Sequence, residues 1–361
     1  MSLSRIADAL GLSVTTVSRA LAGYGEVAGR TRARVLAEAQ RIGYVPNQTA
    51  RRLRSGRSGA VGVVVPAEPG SFDPFFLGML AAIGPLLAKA GLGLVMMSGR
   101  PGREEMQAYR HLVEWHRVEA VLIARTRVND PRIAYLQDHE IPLVTHGRSV
   151  TRRPCAYVDL DGEAAFRIAA ERLIGFGHRR IGLINAAPGY MFARHRQAGW
   201  QMALAAAGLP PGPVLAGEPD EENGELLMRR LLRRAVPPSA VLCATDRMAV
   251  GAMAALAAQG LRAGRDVSLI GYDNLPIASY TDPPLTTIDQ PLPAMAARLV
   301  EILTALIGGA AAGEFAEVWP PRLCARASDG PVSEIASARR VGNSDHHRIV
   351  GGWHEKTGCL A

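Results

Sequence analysis

"GLSVTTVSRALAG", residues 11–23, reads as the second half of a helical hairpin. Gly11 can end one short helix, and Ser13, whose hydroxyl can accept from a first-turn amide, can cap the next, from Val14 to about Ala22. Within that helix Val17, Ala20 and Leu21 point inward, whereas Val14, Thr15, Thr16, Ser18 and Arg19 lie at its start or on its outer face. Short polar side chains with one arginine on an exposed helix suit base edges in a major groove. Upstream, Ser4 is placed to cap a helix over residues 5–10 that turns Ile6, Ala7 and Leu10 to one side. Downstream, a helix over about 29–42 supplies Val35, Ala39 and Ile42, so three short helices share one small core.

Charge agrees with a nucleic-acid partner for this segment. Residues 1–58 hold ten arginines against Asp8, Glu26 and Glu38, a local excess of +7 in a chain whose total is +8. A basic face can also be mere solvated surface, so the helical pattern decides between the two. The 361 residues, 48% hydrophobic, suffice for two or three domains. The start of the chain lacks the apolar stretch of a secretory leader, and no run reaches transmembrane length, so a cytoplasmic protein without a membrane partner is expected. Cys155, Cys243, Cys324 and Cys359 form no CxxC pair and read as reduced packing residues.

Beyond Ser58 the composition changes. "AVGVVVP" (60–66) is a continuous apolar strand, and an alternation follows. It runs strand 91–97, helix about 103–115, strand 120–124, a helix from Pro131 and strand 142–147. A second series has helix 162–175, strand 180–185, helix 194–207, strand 240–244, helix 247–259 and strand 266–272. Two such series imply two lobes, each a parallel sheet with helices on both faces. Ligands of such sheets bind beyond the carboxyl ends of the strands. The polar residues there include Asp73 with Phe75 and Phe76, Arg125, Arg127, His146, Arg148, Asp159, Asp161, Asn185, Asp246, Asp273 and Asn274. Carboxylates, guanidiniums and an amide beside aromatic rings can bind several hydroxyls while covering an apolar ring face, which describes a carbohydrate site. Each taken singly also fits a helix cap or strand-end turn, Asp246 especially.

"IADALGLSVTTVSRAL" (6–21), followed by "TRARVLAEAQRIGYVPNQTARRLRSGRS" (31–58), resembles the DNA-binding headpiece of the LacI/GalR family of bacterial transcription repressors. Helix-turn-helix, "GYVPN" and a hinge segment occur in the family's order; Ala28 departs from it where a serine commonly caps the third helix. Asn47 is a good cap for a hinge helix over about 47–55, too short to be stable alone in water. The resemblance implies that two such helices of a homodimer enter the minor groove of a near-palindromic operator. Leu53 then wedges the central base step, with Ala50 on the same face and Arg51 beside it. A flexible basic linker is the plainer reading of the same residues.

"ATDRMAVGA", "IGYDN" and "PPLTTIDQP" extend the resemblance to about Ser328, through the family's periplasmic-binding-protein-like effector core. Carried over by position, Arg196, Asp273 and Arg125 match ligand-contacting places, as do Asp73, Phe75, Phe192 and Gln290. "RTRVNDPR", "VTHGRS" and "FARHRQAGW" look most like the branch responding to sugars, notably α-glucosides. The resemblance also implies lobe crossings near Val158, Asp289 and Trp319, with a helix from about Met295 to Ile307 returning to the first lobe.

The expected fold is thus an all-α helix-turn-helix headpiece over 1–58 and an α/β effector domain of two parallel-sheet lobes over 59–328. A tail over 329–361 is expected to be disordered; His346, His347, His354 and Cys359 in it are scattered, so no metal site or cofactor is expected. "GYGEVA" (23–28) spells a dinucleotide-type GxGxxA, but no strand precedes it, and no P-loop, HExxH or GxSxG occurs. The expected function is a non-enzymatic, sugar-controlled repressor. A nucleoside, purine or sugar-phosphate effector, or a sugar-binding protein without a DNA role, are the alternatives.

Overall fold

The computed structural model describes residues 3–22, 24–44, 58–67 and 73–332. The chain divides into two compact units, one up to Gly59 and one from Ala60.

The first unit holds α1 (Leu3–Leu10), α2 (Val14–Ala22) and α3 (Gly29–Arg41). Ile6, Ala7, Val17, Ala20, Val35 and Ala39 are its buried core, with Leu10, Leu12, Leu21 and Ile42 packed around them. Gly11 takes φ +65°, the left-handed turn that lets Leu12 N–H bond back to Ala7 O (3.0 Å). Ser13 Oγ accepts from Thr16 N (3.0 Å) and so caps α2. α1 begins at Leu3, two residues before the expected start, so Ser4 lies within the helix, and Leu3 packs on the same core. At α3 the N-cap position is Ala28, with no side-chain bond to the first turn.

The second unit contains two six-stranded sheets. β1 (Ala60–Pro66), β2 (Gly93–Gly99), β3 (Ala120–Ile123), β4 (Leu143–His146), β5 (Ala156–Leu160) and β11 (Ala316–Trp319) lie in the order 11-5-4-3-1-2, all parallel. β6 (Ile181–Ala186), β7 (Val214–Gly217), β8 (Ala240–Cys243), β9 (Ser268–Asp273), β10 (Thr286–Asp289) and β12 (Arg322–Cys324) lie in the order 12-10-9-8-6-7, parallel except β12 against β10. Between the strands run α4 (Pro74–Lys89), α5 (Arg103–Glu114), α6 (Pro131–Asp138), α7 (Gly162–Gly175), α8 (Met191–Ala206), α9 (Glu221–Leu232), α10 (Asp246–Ala257) and α11 (Leu292–Ile307). The central strands β1, β3, β6, β8 and β9 are buried nearly throughout, as parallel strands covered on both faces must be.

The chain crosses between lobes three times, after β5, after β10 and after β11. α11, encoded after the second lobe, returns to the first, where Met295, Leu299 and Leu303 share a core with Val61, Met79 and Ile83 of β1 and α4. Gly78 permits that approach: a methyl there would come within 3.2 Å of Leu292. The alternation read from sequence lacks α4, β5, β7, α9 and the three late strands β10, β11 and β12, and begins α8 three residues late. In α4 the cause is composition, because "PFFLGMLAAIGPLLAK" is apolar almost all round and carries no helical period to detect.

Candidate functional site

The strand ends of both sheets face one another across a cleft of about 820 Å³. The first lobe contributes Asp73 and Phe75 after β1, Arg125 and Thr126 after β3, His146 and Arg148 at the end of β4, and Asp159 on β5. The second contributes Phe192, His195 and Arg196 from the first turns of α8, Arg247 of α10, Tyr272 and Asp273 of β9, and Gln290 after β10.

Local structure fixes these side chains. Asp73 caps α4 with one oxygen (Oδ1 to Phe75 N, 3.0 Å) and turns the other to Arg125 Nη2 at 3.3 Å. Arg125 itself sits at φ +50°, a region sparsely used by non-glycine residues. Arg132 holds it there: its Nη2 donates to the carbonyls of Ala124 (3.3 Å) and Arg125 (3.0 Å). Arg132, only 4% exposed, is in turn tied to Asp130 (2.6 Å) and Glu105 (2.9 Å). On the opposite lobe, Asp273 (φ +120°) and Asn274 (φ +52°) turn the chain out of β9, and Gln290 Nε2 donates to Asp273 Oδ1 at 2.6 Å.

Arg196 lies beneath the pocket floor as a charged plate. Its guanidinium carbon is 3.6 Å from the Tyr272 ring centroid and 4.5 Å from that of Phe192, and Nη1 donates to Ala244 O. Its Nε is buried without a hydrogen-bond partner among the described residues. Arg148 Nε pairs with Asp159 Oδ2 at 2.7 Å, and its Nη2 lies 3.4 Å from His195 Nδ1. Burial pushes the Asp273 carboxyl well above the usual carboxylate range, against the pull of Arg196. Burial likewise lowers the pKa of His146 and His195, which favours neutral rings.

On α2 of the first unit, Val14 (46% exposed), Thr15 and Arg19 face outward, and Thr16 and Ser18 are partly exposed. Arg19 Nη1 lies 3.4 Å from Glu26 Oε2, an exposed pair that binds weakly and can yield to another anion. Thr16 Oγ1 shares a 2.8 Å bond with Ser13 Oγ.

Residues 2–47 match the family model described as bacterial regulatory proteins, lacI family, and residues 170–328 match the periplasmic binding protein-like domain. The transcriptional regulator AglR of Rhizobium meliloti is 40% identical over 92% of this chain and 96% of its own. The chain belongs to the lacI family of bacterial regulatory proteins. RafR of Escherichia coli is 35% identical over 89% of the chain and 96% of its own. Among solved structures, a CelR–cellobiose complex superposes with TM-score 0.69 at 31% identity, covering 91% of this chain and 99% of that one. The lac repressor dimer bound to operator and the anti-inducer ONPF gives TM-score 0.78 at 26% identity over the same shares. The protein is accordingly a DNA-binding transcription regulator, with a helix-turn-helix unit and a two-lobed α/β body, in a family of regulators. No helix among the described residues is long and apolar enough to cross a membrane.

Set against this lacI-family frame, the cleft brings together Asp73, Phe75, Arg125, Asp159, Phe192, Arg196, Asp273 and Gln290. Asp246 is a correction: it is 0% exposed and does not line the cleft. Thr245 is the N-cap of α10, and the Asp246 carboxylate accepts from Leu275 N (2.8 Å) and Thr287 Oγ1 (2.5 Å), pinning the turn after β9 to β10. Gly271 makes this possible, since a methyl there would collide with Asp246 Oδ1. Asp161 caps α7 through Ala164 N, Asn185 bonds Ala193 O and Ala186 N, and Asn274 bonds Asp289. Arg127 pairs with Glu105 at 2.7 Å, away from the cleft lining.

Sequence reasoning did not single out Thr126, His195, Arg247 or Tyr272, all of which line the cleft. His195 and Arg247 directly adjoin Arg196 and Asp246, and a helix start facing a cleft presents neighbouring positions to it. Tyr272 reads as core, and its ring is indeed 98% covered. Only its stack on Arg196 makes it part of the site. Asn47, Ala50, Arg51 and Leu53, with the tail histidines and Cys359, lie outside the described residues.

Proposed function

We propose that this regulator is a homodimeric repressor whose operator binding is set by a small uncharged sugar held between the two lobes. The observation that carries the sugar reading is the internal charge balance of the cleft. Arg125 faces Asp73, Arg148 faces Asp159 and Arg247 faces Glu221 at 2.5 Å. Paired charges of this kind donate and accept at fixed points without leaving a net field, which suits hydroxyls and disfavours a phosphate. Phe75 and Phe192 bring aromatic carbon to the cleft for the apolar face of a ring. The CelR–cellobiose complex, a relative over nearly its whole length, supports a carbohydrate in the same fold.

On the DNA side, Val14, Thr15, Thr16, Ser18 and Arg19 are the proposed readers of a major-groove half-site. Asn47, Ala50, Arg51 and Leu53 are the proposed hinge residues at the operator centre. Effector classes are ordered with glycosides of glucose first.

Fluorescence anisotropy of labelled DNA from upstream of the protein's own gene, at fixed salt, tests both parts. Tight binding that one glycoside weakens is the expected result. Tight binding that no glycoside alters, but a nucleoside or sugar phosphate does, would replace the sugar reading.

A further inference from the structure

We infer that Arg132, a buried side chain that does not line the cleft, is a positioning residue that sets effector affinity through Arg125. This rests on the sugar reading of the cleft. The segment after β3 passes twice through left-handed backbone, at Arg125 (φ +50°) and Asn129 (φ +52°). Glycine takes such angles freely, whereas arginine keeps them only where its surroundings impose them. Arg132, in the first turn of α6, imposes the first, because its Nη2 donates to the carbonyls of Ala124 (3.3 Å) and Arg125 (3.0 Å). Those carbonyls belong to the two peptide planes that meet at the Arg125 α-carbon, so one guanidinium nitrogen fixes both dihedrals of that residue. The fixed backbone aims the Arg125 side chain at Asp73 Oδ2, 3.3 Å away in the cleft.

Arg132 is itself held from its other edges. Nε and Nη2 meet the Asp130 carboxylate at 2.9 and 2.6 Å, and Nη1 meets Glu105 of α5 at 2.9 Å. A buried ion cluster seldom stabilises a fold more than an apolar filling of the same volume, because desolvation of the charges offsets their attraction. What this cluster supplies is a flat donor locked in one place. Neither carboxylate depends on Arg132 alone. Glu105 Oε2 also accepts from Arg127 Nη2 (2.7 Å), and Asp130 also accepts from the main-chain amides of residues 127 (2.9 Å) and 132 (3.0 Å). Methionine at 132 fills similar space and leaves both carboxylates with partners, so that substitution removes the support of Arg125 and little else.

Isothermal titration with maltose, cellobiose and melibiose tests this on the full chain as parent, Arg132→Met, Arg125→Gly and the double variant. Arg132→Met should weaken the tightest-binding sugar by about tenfold or more, with a thermal unfolding midpoint near the parent's. Glycine at 125 needs no support for its backbone and has no side chain to aim, so Arg132→Met in that background should cost less than about twofold. Arg132→Lys keeps a charge for the carboxylates but not the plane of donors; it should lose about fivefold, and it decides the matter if Arg132→Met does not fold. Unchanged affinity in Arg132→Met and Arg132→Lys overturns the inference. An equal loss with and without Arg125 overturns it too, because the effect would then not pass through that residue. If the parent binds none of the three sugars, the sugar reading falls, and amide exchange at Val128, on the same segment and bonded to Gly189 O at 3.1 Å, decides the positioning role by itself. Exchange about tenfold faster in Arg132→Met supports that role, and an unchanged rate overturns it.

Discussion

At the scale of single residues, Arg196 shows why one basic side chain cannot stand for another. Its plane is enclosed by Tyr272 and Phe192 while Nη1 reaches Ala244 O, which uses a flat, delocalised cation with several donors. Arg196→Lys keeps the charge but loses the stacked plane and most of the donors, at about 2–4 kcal/mol of ligand binding. Calorimetric titration should show effector affinity falling by about 30-fold or more, with DNA affinity in sugar-free buffer close to the parent's. Asp246 yields the opposite kind of prediction. Burial raises its carboxyl to about 6, so the folded chain holds this proton more tightly than the unfolded chain does. Its contribution therefore favours folding below about pH 4 and diminishes as pH climbs to about 6, then stays level. Urea unfolding of the parent and Asp246→Asn at pH 4.5, 5.5 and 7 should show the parent losing stability relative to the variant as pH rises. Effector affinity should shift less than about threefold in that variant, because Asp246 does not reach the cleft.

Elements differ in how openly the chain declares them. α2 was legible to the residue because a glycine, a capping serine and a clean inward stripe of Val17, Ala20 and Leu21 coincide within eleven positions. Strand ends pointed to most of the cleft, since a parallel sheet exposes its carboxyl ends and little else. α4 was not legible, because a helix covered on nearly all sides has no amphipathic signature. The role of Asp246 was hidden for a related reason: a carboxylate at a strand-to-helix turn looks the same in sequence whether it meets a ligand or a buried amide. α3 carries a testable defect. Ala28 has φ −52° and ψ 136°, an N-cap conformation, but no side-chain acceptor for the first turn. Ala28→Ser supplies one without changing the backbone, worth about 1 kcal/mol. Amide exchange in the full chain should slow by about fivefold at the first turn of α3, and exchange unchanged there would show the cap fails to form.

For the molecule as a whole, the relation between the lobes depends on more than the three covalent crossings. The segment after β3 and the segment before α8, from opposite lobes, meet as a small antiparallel bridge between Arg127 and Tyr190. Two main-chain bonds make it, Val128 N to Gly189 O at 3.1 Å and Met191 N to Thr126 O at 2.9 Å. The same two segments carry Arg125, Thr126 and Phe192 into the cleft, so the bridge and the ligand site are positioned by one piece of backbone. A ligand bound between the lobes and a bond between the lobes then favour the same arrangement, and each should strengthen the other. Met191 allows the bridge to be weakened without harming its helix. It is the first residue of α8, where proline is well tolerated because that amide has no partner within the helix, and Tyr190 before it is already extended (ψ 134°). Met191→Pro removes one cross-lobe bond and leaves the core of the second lobe intact, a change of about 0.5–1.5 kcal/mol. Effector affinity should fall about two- to tenfold, and small-angle scattering should show a larger radius of gyration for the variant without effector that returns to the parent's value at saturation. If affinity and radius both match the parent's, the bridge contributes nothing to lobe closure, and the cleft side chains alone hold the lobes together around the ligand.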